Sequence, residues 1–543
     1  MSGVSFQPRW WIEAVLVLQS PLVIRTGEAE ERPADAGEDA EPGTVAQVER
    51  DVRGQPYIPG TSLKGAIRAW AVRRLPSAAD RIEALFGHDP RRIGEDQEAG
   101  GGDESRQQGL GGRAEFHDAF LADVSDKEAC HRPDHEGEEA PEKPKLPEAG
   151  STAIDRRTGT AARQKLRFTE LVPKGRRFRL VVTGDGLEAR DVGLLLAAFD
   201  AFGRGEITLG GDVGSGKGRA RIDDVSLRRL DATDVAKWLQ AMAPGVWWEC
   251  IREAEPLAKQ QIQQPTPAED VPAIQVCLEL AFDGPFLVSE RNRGKKGEAE
   301  ADLVPTRAGY DVAVLPGESV KGALRAQAAR IARTVHNLDD EAEHASVRRL
   351  FGPRAGGEAL RRGALAVSDF LPCNEPQERQ QELVAIDRFT GGAAAGAKFS
   401  IRHLESPRLA GSLSLRLRPP EWRKASGKRA GEIDRDALKV RTEDLGLLAL
   451  LLRDLAEGDI TFGYGASKGY GACRIAKVVV SYVNRPEVEQ VLRALSGASL
   501  PNLPEGEPDL PTLKGFGCAI AGCIEAFGEA PAAETKEGGD VPR

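Results

Sequence analysis

Two short stretches of the chain carry the same chemical groups at the same spacing. IPGTSLKGAIRAWA (58–71) returns as LPGESVKGALRAQA (315–328). In each, a Pro-Gly corner is followed by a hydroxyl (Ser62, Ser319), a lysine (Lys64, Lys321) and, one helical turn on, an arginine (Arg68, Arg325). The corner predicts a tight turn, with Thr61 or Ser62 capping a helix and Lys64 in its first turn. A lysine there opposes the helix dipole, which favours acids at that end. The placement makes sense where exposed N–H groups and a cation together receive a phosphate. A solvated lysine beside an ordinary cap would explain one such corner; the recurrence argues for phosphate contact.

Two glycine-rich loops point the same way. GDVGSGKG (211–218) has the glycine, gap and Gly-Lys of a P-loop, but Gly218 stands where the magnesium-binding hydroxyl is required. YGASKGYG (464–471) lacks the spacing altogether, which excludes nucleotide hydrolysis. Dense glycine allows close approach to a polyanion, with Gly216, Lys217 and Lys468 as contacts and Tyr470 as a stacking ring. A hairpin needing positive φ would account for the glycines but not the lysines. CHRPDH (130–135) offers Cys130, His131, Asp134 and His135 in no standard zinc spacing and reads as a polar loop. Neither a Ser/His/Asp arrangement nor a pair of catalytic carboxylates is legible.

These residues are held by a repeat that runs through the chain. An alternating strand precedes each corner, with Ile12, Ala14, Leu16 and Leu18 on one face, and later Ile274, Val276, Leu278 and Leu280. After each corner come a helix and LFG (85–87, 350–352), then EFHDAFL (115–121) or AVSDFLP (366–372), then AIDRRTG (153–159) or AIDRFTG (385–391). The segments 193–222 and 446–475 align without a gap as helix, short strand, glycine loop and strand. That order predicts two tandem α+β domains of ferredoxin-like or RNA-recognition-motif-like type. The expected division is a first domain over 1–255, a Pro/Gln-rich linker over 256–270, a second domain over 271–525 and a disordered tail over 526–543. Segments 27–43, 92–112 and 124–150 are polar insertions, expected to be mobile loops.

The formal charge of −10 argues mildly against a purely electrostatic nucleic-acid binder, but many of the acids lie in those insertions and the tail. Seven cysteines without a paired framework fit a reducing, cytoplasmic setting. The N-terminus lacks the apolar core of a signal peptide, and no apolar run predicts a membrane span.

The corner, the IDR-TG segment and the late glycine loop ending in GKG or GYG, in the same order in both halves, resemble the RAMP superfamily. They are similar in particular to backbone subunits of type III CRISPR–Cas effector complexes, with two units fused as in type III-D-like systems. The resemblance implies that each half grips a guide RNA through its corner and glycine loop. It implies partners in that guide RNA, a complementary target RNA and other effector subunits (backbone, large and small), with no membrane. Segments starting at Arg156 and Arg388 would begin thumb hairpins that wedge into the guide–target duplex. In cutting members an aspartate before the corner acts on target RNA; counting back places Asp302 there, with Arg307 beyond it. Asp302 would then be both catalytic residue and ligand of Mg²⁺ or Mn²⁺. The matching position in the first half is Val45, which cannot serve; Asp35 and Asp39 lie upstream of it. The implied activity is metal-dependent endoribonuclease cleavage of target RNA, the alternative being a structural RNA-binding subunit that does not cut. Guide-precursor processing, which calls on histidines, is disfavoured because no histidine pair sits in the repeated blocks.

Overall fold

The computed structural model describes residues 7–32, 43–87, 111–122, 144–152, 154, 162, 167–230, 256–268, 271–291, 301–339, 344–353, 362–417, 440–496 and 510–529. The chain divides into two compact units. The first comprises Met1–Ala149, Arg167–Val213 and Lys217–Glu269, and the second Gly150–Leu166, Gly214–Gly216 and Asp270–Arg543.

The first half begins with β1 (Arg9–Leu18), where alternation puts Trp10, Ile12, Ala14, Leu16 and Leu18 into the core. β2 (Arg25–Arg32), β3 (Gly43–Val48), α1 (Gly60–Arg74) and α2 (Ala79–Phe86) follow. Next come β4 (Ala114–Phe116), β5 (Phe120–Leu121), β6 (Glu148–Ser151), β7 (Arg167–Glu170) and β8 (Arg177–Asp185). The apolar helix α3 (Ala189–Gly203) and β9 (Ala220–Leu230) close the half. The main sheet runs β4-β8-β1-β9, with β1 antiparallel to both β8 and β9.

The second half repeats this plan. Its strands are β10 (Ala273–Phe282), β11 (Pro285–Phe286), β12 (Ser289–Arg291), β13 (Leu303–Pro305), β14 (Leu365–Val367) and β15 (Leu371–Pro372), then β16 (Gln377–Ile386), β17 (Ala393–Glu405), β18 (Arg408–Arg416) and β19 (Cys473–Val483). Its helices are α4 (Gly317–His336), α5 (Ala345–Phe351), α6 (Thr442–Glu457), α7 (Arg485–Ser496), α8 (Leu510–Ala519) and α9 (Ala521–Glu529). The sheet order β14-β18-β10-β19 matches that of the first half element for element. In both, the first strand lies between the third and fourth of the βαββαβ unit, which is the ferredoxin-like topology expected from the repeat. Each core packs the corner helix and the later apolar helix on one face of the sheet. Trp70, Phe178, Phe199 and Phe202 fill the first, and Leu324, Phe370, Leu447 and Leu451 the second.

The polar segments differ in part from the expectation of mobile loops. Residues 27–32 belong to β2, which pairs antiparallel with β3 through Ala29↔Ala46 and Glu30↔Val45. Main-chain pairing forms this strand, so its polar side chains gave no apolar signal. Likewise Glu148–Ser151 forms β6, and Leu146 beside it is buried. Gly112 fits against the backbone of Phe86, where a Cβ would come to 2.6 Å. The stretch 256–268, expected to be a linker, lies on the first unit. Leu257 donates to the Leu227 carbonyl at 2.8 Å, Lys259 reaches Asp200 at 2.7 Å, and Ala268 donates to the Arg74 carbonyl at 2.6 Å. In the expected tail, residues 526–529 continue α9, whose Cys523 and Phe527, four apart on one helical face, are buried in the second core.

Candidate functional site

Both corners fold alike, but a different residue caps them. The helices start at Gly60 and Gly317 with Pro59 and Pro316 at the cap position, and no cap side chain bonds back. Thr61, Ser62 and Ser319 lie inside the helices, correcting the expected hydroxyl cap. Lys64 and Lys321 are each the fifth helical residue, just beyond the first turn. The first N–H is taken by an aspartate from the next repeated block: Gly60 donates to Asp118 Oδ1 at 2.8 Å and Gly317 to Asp369 Oδ1 at 2.7 Å. Tyr310 adds a hydroxyl bond to Asp369 Oδ2 at 2.8 Å. The dipole therefore meets a carboxylate of the protein itself, which takes the place of the anion expected at the helix end. Sequence reasoning missed these two aspartates, although HDAF and SDFL both display them. Asp369→Ala removes the acceptor of the buried Gly317 N–H and is expected to destabilise the second unit by about 1–3 kcal/mol in denaturant unfolding; Asp369→Asn, which keeps an acceptor, is expected to cost less.

Arg68 and Arg325 are half-buried one turn beyond the lysines. Lys321 is strongly perturbed. Burial, then the charges of Arg362 and Arg325, lower its pKa from 10.5 to about 8. Three cations thus gather beside the second corner, and Lys321 holds its proton against burial and the repulsion of the two arginines.

The glycine loops use their glycines on the protein's own backbone. A Cβ on Gly218 would meet the Leu209 carbonyl oxygen at 1.9 Å and one on Gly471 the Phe462 carbonyl oxygen at 1.9 Å, both at positive φ. Gly216 takes φ +83°. The hairpin explanation accounts for these loops. Lys217 and Tyr470 occupy the same position of the gapless repeat and are 3% and 4% exposed. Neither is the surface contact expected of it. The Tyr470 hydroxyl donates to Gln381, and its ring packs with Leu287 and Ile401, with Phe399 and Leu303 against them. Tyr470 is therefore a floor beneath the β13–β17 sheet. Lys468 remains exposed, its Nζ 3.2 Å from the Tyr464 hydroxyl and 5.5 Å from the Phe399 ring centroid.

Asp302 is exposed immediately before β13, which runs parallel to β17 through Leu303↔Ile401. Its Oδ2 accepts from the Ser400 N–H at 2.7 Å and the Ser400 hydroxyl at 3.2 Å, and the Asp302 N–H donates to Ser400 Oγ at 3.2 Å. β16 and β17 form a long hairpin, in register from Gln377↔Glu405 to Val384↔Lys398 and, past an irregularity, Ile386↔Ala393. The IDRFTG segment closes this hairpin rather than starting it. Asp387 accepts from the Phe389 N–H at 2.9 Å and the Thr390 hydroxyl at 3.0 Å, and these bonds hold its carboxyl below the usual range. Arg388 is exposed at the tip, Phe389 is 100% exposed, and Val384 and Ile386 are exposed on the way to it. Arg307 turns back to the Asp311 carbonyl and approaches Glu378 at 3.5 Å.

The model of the RAMP superfamily matches residues 15–221 and 283–474, one stretch in each half of the chain. The chain belongs to the RAMP superfamily. No curated protein matches it.

The two RAMP domains differ at the position of Asp302. In the first, Val45 pairs with Phe168 in the parallel register that sets Asp302 beside Ser400 in the second, so both polar groups are replaced by apolar ones. Among the described residues, one group of three acids is close enough to share a metal: Asp454, Glu457 and Asp459. The Asp454 oxygens are already engaged, by Gln327 at 2.7 Å and Arg453 at 2.6 Å. Asp302 belongs to no such group there. Arg156, Asp35, Asp39, Cys130, His131, Asp134 and His135 lie outside the described residues. Among the described residues no helix is long and apolar enough to cross a membrane.

Proposed function

We propose that this RAMP protein is a guide-RNA-binding backbone subunit of a type III CRISPR effector complex, with two backbone units fused, and that it cleaves complementary target RNA at its second domain. The observation that carries the reading is the exposed Asp302 carboxylate, fixed by Ser400 midway along a hairpin that bares Phe389 at its tip. Guide phosphates are received by Lys64 and Arg68 in the first domain and by Lys321, Arg325 and Arg362 in the second. Ser62 and Ser319, near the start of the same helices, add hydroxyls, and Lys468 adds a cation near the hairpin. The hairpin tip, Arg388 and Phe389, opens the guide–target duplex, because an aromatic ring held clear of its own core can stack on bases.

RNA carries its own nucleophile, the 2′-OH, so the protein has only to align the backbone and supply a base or a metal ligand. The donor set fits a hard divalent cation in a limited way. Asp302 offers one carboxylate oxygen while the other is held by Ser400, which suits Mg²⁺ or Mn²⁺ bound through few carboxylates plus substrate phosphate and water. Such an ion would supply charge stabilisation at the scissile phosphate. The first domain, with Val45 in that place, favours the second reading for itself: a grip on RNA without cutting. The test is purification of the assembled complex. A co-purifying RNA of uniform length, and target RNA returned as discrete fragments, support the proposal; a complex free of RNA would end it.

A further inference from the structure

Ser400 holds Asp302 by three hydrogen-bond contacts across the strand pair. Its N–H and its hydroxyl both point at Oδ2, at 2.7 and 3.2 Å, while its Oγ accepts from the Asp302 N–H at 3.2 Å. These contacts tie an exposed acid, at the start of a three-residue strand, to a thirteen-residue strand. An exposed aspartate otherwise samples several rotamers. Here one oxygen is committed to Ser400, and Oδ1 belongs to an exposed side chain. Beneath this spot Ile401 and Phe399 pack with Tyr470, so the strand presenting Ser400 rests on a filled floor.

The first domain gives the internal comparison. Its β3–β7 pair has the same parallel register, yet it holds Val45 and Phe168 where the second holds Asp302 and Ser400. A serine needed only to close the strand pair would be expected in both domains; here acid and serine change together.

We infer that Ser400 is a positioning residue for cleavage, orienting the Asp302 carboxylate through its hydroxyl so that the second oxygen is presented to the target strand. The inference rests on the reading that Asp302 cuts. Misplacing a catalytic group by a fraction of an ångström is costly to rate but not to binding. Ser400→Ala removes the hydroxyl while keeping the N–H bond. In the assembled complex, single-turnover cleavage at saturating target is expected to slow about tenfold, with target affinity unchanged. Ser400→Thr, which restores a hydroxyl, is expected to recover most of the rate. Adding Ser400→Ala to Asp302→Ala should change nothing further, because the group it orients is already gone.

The outcomes separate the two ideas. If Asp302→Ala abolishes the cut while Ser400→Ala cuts at the unmodified rate, the positioning role is overturned and the cutting role stands. If Ser400→Ala weakens target binding as much as cleavage, or threonine fails to rescue, Ser400 is structural and the inference is wrong. If Asp302→Ala cuts normally, the reading of the site falls, and the inference with it.

Discussion

Replacing Asp302 by alanine is expected to lower target-RNA cleavage by at least ~100-fold, as for loss of a general base or sole metal-binding carboxylate, while the complex keeps its guide RNA and binds target as before. The separation of the two effects follows from where the residue sits. Asp302 is exposed, packs in neither core and contacts the rest of the fold through Ser400. Its removal is therefore expected to cost less than about 1 kcal/mol of stability. The cations gathered at the second corner are carried by α4 and Arg362, not by this loop. Asp302→Asn sharpens the test, since it keeps the acceptor for Ser400 but loses the charge. If charge is what the reaction uses, the asparagine variant should be as slow as the alanine one. Cleavage assayed on end-labelled target with Mg²⁺ or Mn²⁺ decides it: undiminished fragments from both variants would leave the second domain a grip and nothing more.

How much of this was legible beforehand depended on whether the signal was local. The period-two alternation of Ile12 to Leu18 and of Ile274 to Leu280 is written in consecutive residues, and both sets are buried on one sheet face. The gapless match of 193–222 with 446–475 likewise foretold two apolar helices, two glycine loops and two strands in equivalent places. What escaped was set by partners distant in sequence. The caps of α1 and α4 come from Asp118 and Asp369, more than fifty residues further on, so a local search for a cap settled on the nearest hydroxyl. β2 is a polar strand made by pairing with β3, and composition alone read it as a loop.

Lys217 and Tyr470 show a subtler failure. Each was read for the chemistry of its end group, and neither looks like a core residue. The repeat alignment nevertheless sets them at one position, and both are enclosed. A place that takes a lysine in one copy and a tyrosine in the other must accept length and an apolar stem rather than charge. The glycines around them are special in conformation, but their freedom serves the carbonyls of Leu209 and Phe462.

The second large effect expected is on RNA binding, from Lys321→Met combined with Arg325→Met. Loss of two phosphate contacts should weaken binding about 10- to 100-fold at low ionic strength and flatten the salt slope by roughly one to two. Lys321 adds a signature that surface cations lack. Burial, Arg362 and Arg325 bring its pKa to about 8 from 10.5. Below pH 8 the lysine is charged in folded and unfolded chains alike. Between about 8 and 10.5 the unfolded chain binds a proton the folded one has released, so this group makes stability rise with pH across that window. A bound phosphate reverses the balance, because an anion beside Lys321 favours the charged lysine. Guide binding should then take up a proton near pH 8, and affinity should fall as pH rises from 7 to 9. Lys321→Met alone should abolish most of that pH dependence and leave the fold intact, since it removes a charge that burial and two arginines oppose. Binding measured at several pH values for the unmodified and methionine proteins is the check. An affinity equally flat in pH for both would mean that no phosphate comes near Lys321, and the second corner would lose its place in the RNA path.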